Sequence, residues 1–145
     1  MADVGQVDLH AHTTASDGVH SPREVVRMAK DAGLCGIAIT DHDTLDGVAE
    51  AREEGDNIGI LVVPGVEIST SLGGTDIHVL GYFVDERDKR FLERLRSQRE
   101  TRAKRNEMVL EKLAALGIRI TMEELVAVAR SAGGKEGEDA ALTIG

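Results

Sequence analysis

Short apolar runs alternate with amphipathic stretches up to residue 85. Val7-Asp8-Leu9 reads as a short strand. Ser21-Pro22-Arg23-Glu24 has the form of a helix start: Ser caps, Pro takes the first helical position and Glu closes a capping box. Val25, Val26, Met28, Ala29 and Ala32 then give one apolar face, and Gly33 can end the helix. The segment 35–40 is a strand of buried type. A second helix is expected from Leu45 to Glu54, capped by Thr44. A third strand covers 60–64, and the segments 66–70 and 77–83 read as a strand pair joined through Gly73-Gly74. This β-α-β-α-β order implies an α/β domain with a parallel sheet and right-handed crossovers. In such sheets chemistry gathers beyond the carboxyl ends of the strands.

From Glu86 to Leu116 the pattern turns helical and highly charged, and Thr121-Met122-Glu123-Glu124 starts a further short helix reaching about Arg130. The remainder to Gly145 is Gly-rich and poor in apolar residues, and reads as an irregular tail. No internal repeat and no linker divides the chain.

Composition narrows the classes. The chain has 145 residues, enough for one domain. Two Phe, one Tyr and no Trp leave Val, Ile, Leu and Ala to build the core, and rule against an aromatic platform for single strands. A net charge of −9 disfavours DNA and anionic membranes unless the basic residues are segregated. One Cys, Cys35, excludes an internal disulfide framework and fits a reducing compartment; at the start of a strand it is expected to be a small core residue. The N-terminus lacks a basic, then apolar, leader, and no apolar run is long enough to span a bilayer. The cytoplasm is the expected location.

The His residues carry the chemistry. His10 and His12 follow the first strand, His42 the second and Glu67 the third; His78 lies in the strand after the Gly-Gly turn, and Asp17 in the loop that opens at His10. Imidazole with carboxylate is a ligand set for Zn, Mn or Fe rather than for Ca or bare Mg. Residues two apart in an extended segment face the same side, so His10 and His12 can turn both rings to one ion. Asp8 and Asp41 can orient ligating imidazoles by accepting their second N–H. Taken singly, each residue has a structural explanation: a capping turn for Asp41-His42-Asp43, an Arg partner for Glu67, a surface or core position for His78. Recurring at successive strand ends, they point to one shared metal site. His20 has no place in the pattern. A Ser-His-Asp set can be written from Ser16, His10 and Asp8, but nothing in the spacing demands it.

With those segments in view, the chain resembles the PHP (polymerase and histidinol phosphatase) family. The resemblance rests on Val7-Asp8-Leu9-His10-Ala11-His12-Thr13-Thr14-Ala15-Ser16-Asp17-Gly18, Ser21-Pro22, Ala38-Ile39-Thr40-Asp41-His42-Asp43-Thr44, Val63-Pro64-Gly65-Val66-Glu67-Ile68-Ser69 and His78-Val79-Leu80-Gly81-Tyr82. It is most similar to the small stand-alone members, metal-dependent phosphoesterases acting on nucleoside bisphosphates and on short or 5′-end RNA or DNA. The resemblance implies the N-terminal part of a distorted (β/α)7 barrel over residues 6–130, with the irregular tail at 131–145. It implies up to three metal ions. His10 and His12 would bind the first and Glu67 would bridge the first and third. Asp17 and His42 would bind the second and His78 the third. Asp41 would be an orienting residue, and a metal-bridging hydroxide the nucleophile.

The chain departs from the family pattern in its later half. The family barrel continues and supplies another His and an Asp-x-His pair, whereas this sequence has no His after His78. Each metal site would then lack one protein ligand, and an open sheet edge would remain. A fragment of a longer gene, a frameshifted tail, or a second polypeptide or second copy completing the barrel each account for this. The segment 86–112 is basic within the acidic chain; most of it reads as a solvated face with i,i+4 pairs such as Glu100-Lys104. Arg99, Arg102 and Asn106, spaced three and four apart, are candidates to face the phosphates of a nucleotide or short oligonucleotide. The alternatives to a phosphoesterase are a catalytically silent metal-binding fragment and, fitting less well, an amidohydrolase-type enzyme.

Overall fold

A computed structural model describes residues 5–131. Strands Val7–Ala11 (β1), Gly36–Ile39 (β2) and Leu61–Leu72 (β3) are linked by helices Pro22–Asp31 (α1) and Val48–Ile58 (α2). Strand Thr75–Tyr82 (β4) and helices Lys89–Ala115 (α3) and Met122–Ser131 (α4) follow. The sheet order is β1-β2-β3-β4. β1, β2 and β3 run parallel, and β4 returns antiparallel to β3. The sheet curls enough that the Tyr82 hydroxyl on β4 donates to the Leu9 carbonyl on β1 at 2.8 Å. This is an α/β half-barrel rather than a flat open sheet.

α1 starts as its sequence dictates. Ser21 Oγ accepts from the Glu24 N–H, and the Glu24 carboxylate takes the Ser21 N–H at 2.8 Å. Val26 and Ala29 are buried, but Met28 is exposed, so the apolar stripe is narrower than the sequence suggests. α1 packs on α2 through Glu54, 2% exposed. Its carboxylate accepts from Arg27 Nε at 2.6 Å and Arg23 Nη1 at 2.7 Å. The core joins these helices to the sheet: Val26, Ala29, Val48 and Ala51 meet Ile37, Ile39, Val62 and Val66, with Leu95 from α3. All of β2 is buried, as befits a central parallel strand.

Four expectations need correction. α2 begins at Val48 rather than Leu45, because Thr44 Oγ1 accepts from the Asp46 N–H and closes a turn instead of capping a helix. Pro64-Gly65 does not break the third strand. β3 runs through it and changes partner there, pairing with β2 up to Pro64 and with β4 from Gly65. A proline without an N–H is tolerated where the ladder changes partners. Cys35 is exposed, since it precedes β2 rather than lying in it. α3 starts at Lys89, capped by the Asp88 side chain on the Arg90 and Phe91 N–H groups. The tail expected at 131–145 lies outside the described residues, Ser131 excepted.

Candidate metal centre

β1 carries His10, and His12 stands just past its end. Their Nε2 atoms are 3.0 Å apart, and each is 3.0 Å from Oε2 of Glu67 on β3. The other Glu67 oxygen, Oε1, is 3.0 Å from Nδ1 of His78 on β4. His78 pairs with Ser69, two residues beyond Glu67, so both side chains share one face of the hairpin. His42 follows β2 and bridges to Glu67 in parallel register. Its Nε2 lies 3.6 Å from Glu67 Oε2 and 3.6 Å from Asp17 Oδ2. Asp17 Oδ1 is 3.4 Å from His12 Nδ1.

All six candidates from the sequence therefore meet. They form three interlocking groups: His10, His12 and Glu67; His12, Asp17 and His42; His42, Glu67 and His78. Within each group one donor atom per residue lies within 4.8 Å of the others. The donor set fits a divalent ion. Zinc–nitrogen and zinc–oxygen bonds of about 2.0–2.2 Å span a triangle of donors spaced as His10, His12 and Glu67 are. The buried Nδ1 atoms of His12 and His42 have no hydrogen-bond partner. Closely packed, incompletely partnered imidazoles around a carboxylate are what a cation would satisfy.

Charge follows from this packing. Burial pushes the Glu67 carboxyl up, but the His10 hydrogen bond and the fields of His42, His10 and His12 outweigh it and leave it below its ordinary value. Burial holds the His42 imidazole below its ordinary value, against the pull of Asp17 and Glu67. Both shifts favour the forms that ligate: carboxylate and neutral imidazole.

Asp41 does not hold an imidazole. Its buried carboxylate accepts from the Thr13 N–H at 2.7 Å, the Thr13 hydroxyl at 2.8 Å and the Ser16 hydroxyl at 2.6 Å. Asp41 thus fixes the loop between His12 and Asp17 rather than a ring, because its side chain is turned toward that loop. The same bond takes Ser16 out of any triad with His10. Asp8 accepts from the His10 backbone N–H, again not from a ring. Thr13 and Ser16 were not singled out as supports; their place between two ligand-type residues was the available signal. Gly18 closes the loop by donating to the Thr13 carbonyl at 2.9 Å.

α3 crosses beside this centre. Arg99 Nη1 donates to the Asp43 carbonyl at 2.8 Å, and Arg102 Nε is 3.6 Å from Asp43 Oδ2. Asn106, one further turn along, is buried. The three candidates share one face of α3, and two of them engage the turn next to His42. His20 is exposed and outside all three groups.

The PHP domain pattern matches residues 8–134. The chain belongs to the PHP domain family. Among its PHP relatives is a 5′-3′ exoribonuclease of Haemophilus influenzae, 42% identical over 111 residues, covering 77% of this chain and 40% of that protein. A 3′,5′-nucleoside bisphosphate phosphatase of Chromobacterium violaceum is 36% identical over 115 residues, covering 79% of this chain and 40% of that one. The crystal structure of a metal-dependent phosphoesterase described for Bifidobacterium adolescentis superposes with a TM-score of 0.83 at 32% identity, over 96% of this chain and 46% of that one. The chain therefore spans less than half the length of each of these three PHP relatives.

Proposed function

We propose that this chain carries the metal-binding half of a PHP phosphoesterase that hydrolyses phosphoester bonds in nucleotides. Its substrates would be nucleoside 3′,5′-bisphosphates or the 5′ ends of short oligonucleotides. The observation that carries this is the sharing of Glu67 between two donor groups, with His12 and His42 each shared likewise. Such sharing suits ions spaced closely enough to act on one phosphoryl group. Divalent ions of the Mn, Zn or Fe type would supply charge neutralisation at phosphoryl oxygens and lower the pKa of water.

The chain's own residues divide the remaining work. His10, His12 and Glu67 form one cradle, Asp17 and His42 extend it toward α3, and His78 extends it along the hairpin. Asp41 holds the Asp17 loop in place. Arg99, Arg102 and Asn106, on one face of α3, are assigned to the substrate phosphates. Residues 6–130 make up the PHP portion. Cytoplasmic location is supported by the lone Cys, and among the described residues no helix is long and apolar enough to cross a membrane.

A second reading, a catalytically silent metal-binding fragment, is favoured by one observation: the chain covers 40% of the length of each of the two curated relatives named above. The test assays the chain alone, and the chain extended with a matching second half, on adenosine 3′,5′-bisphosphate and a 5′-phosphorylated oligonucleotide. Mn²⁺-dependent turnover by the extended protein, lost in His42→Ala, supports the first reading. Metal binding without turnover by either protein supports the second.

A further inference from the structure

Asp43 is fully buried and lies next to His42, yet belongs to none of the three donor groups. Its φ is +52°, a left-handed conformation that Asp tolerates better than most residues. Its four polar groups divide between β3 and α3. Its N–H donates to the Glu67 carbonyl at 2.9 Å. Its Oδ1 accepts from the Ser69 N–H at 2.9 Å. Its carbonyl accepts from Arg99 Nη1 at 2.8 Å, and its Oδ2 faces Arg102 Nε at 3.6 Å. Oδ2 has no hydrogen-bond partner, so its buried charge is balanced across that longer gap to Arg102. One residue thus ties together the turn carrying His42, the strand carrying Glu67 and the basic face of α3.

We propose that Asp43 is a positioning residue that couples the arginine face of α3 to His42 and Glu67. When Arg102 is engaged on Oδ2, the Asp43 side chain is held over the Ser69 N–H and the strand segment carrying Glu67 is held in register. When Arg102 leaves, to pair with a phosphate for example, that hold loosens and the donor groups feel the change. The inference rests on the phosphoesterase reading only in calling the donor groups a site.

The experiment is amide exchange and imidazole NMR on the full ion-free chain, with Co²⁺ titration as a separate arm. Asp43→Asn keeps an oxygen for the Ser69 N–H and tolerates the positive φ, while removing the charge that faces Arg102. Arg102→Gln removes the facing cation, and Arg102→Met, which keeps the apolar stem without the charge, serves if the glutamine variant does not fold. The expected result is that Arg102→Gln speeds Ser69 amide exchange and moves the His42 ring signals. The Ser69 effect should be at least about twofold, the lower end of coupling carried through packed side chains. In the Asp43→Asn background the same substitution should add less than half of that effect. If Arg102→Gln leaves Ser69 unmoved, or adds in full without the Asp43 charge, the coupling role is overturned. A wild-type chain that binds no Co²⁺ would instead remove the metal-site reading, and the exchange result would still decide the role of Asp43.

Discussion

His10 Nε2 and Glu67 Oε2 lie 3.0 Å apart although 57 residues separate them in the chain. Glu67 contributes both carboxylate oxygens to the centre, one toward His10 and His12, the other toward His78. Glu67→Gln should therefore cost more than His78→Ala. Calorimetric titration with Mn²⁺ or Zn²⁺ should show affinity reduced at least about tenfold for Glu67→Gln. His78→Ala should leave the tightest event, at His10, His12 and Glu67, largely intact. Equal losses in the two variants would count against Glu67 being shared.

Asp41→Ala should damage the loop from within. It strands the Thr13 N–H and hydroxyl and leaves the Ser16 hydroxyl only its longer bond to Asp17 Oδ1, at 3.2 Å. The expected cost is about 2–4 kcal/mol, read as a lower urea midpoint at unchanged slope. Metal affinity at the group containing Asp17 should fall with it.

Gly18→Ala tests the same loop by crowding. A Cβ there would lie 2.6 Å from the His12 carbonyl oxygen and 2.7 Å from the Thr13 nitrogen. Backbone atoms cannot swing aside as a side chain can, so His12 or Asp17 must shift. Destabilisation of about 1–3 kcal/mol is expected by urea titration. Weakened Zn²⁺ binding should accompany it, whereas a purely local strain would leave Zn²⁺ binding unchanged.

Glu54 sets an acid dependence remote from the centre. Hydrogen bonds from Arg27 and then Arg23, against the upward push of burial, hold its carboxyl below its ordinary value. A depressed folded-state pKa contributes stability that is complete above the ordinary value of 4.5 and is lost as pH falls through the folded value. Glu54→Gln should be less stable near neutral pH. Its stability should also fall less steeply below pH 4.5 than that of the wild type. Parallel pH profiles of the two proteins would remove the α1–α2 pair as the source.

The strand-end His and carboxylate positions were legible because parallel sheets gather chemistry at one end, and all six converge as that rule requires. The order of elements was legible for the same reason. The partner of Asp41 was not: whether a buried carboxylate turns to a ring or to a loop depends on a side-chain direction that spacing does not encode. The continuity of β3 through Pro64 was hidden because proline normally argues against a strand interior, and only the change of partner at Gly65 removes the objection. Asp43 showed only as the second Asp of a doublet, since its role depends on α3 returning to the β2–α2 turn from 56 residues away.

That change of partner at Gly65 also divides the order in which the centre assembles. The β3–β4 hairpin is local in sequence, and hairpins close in about 1–10 μs. It brings Glu67 to His78 with no help from the rest of the chain. The parallel pairing of β3 with β2, and of β2 with β1, must wait for the α2 and α1 crossovers to fold back, which costs loop closure first. The acceptor at the heart of the centre therefore meets one imidazole early and the other three late. Substitutions at Val79 should slow folding, while those at Val7 should mainly speed unfolding.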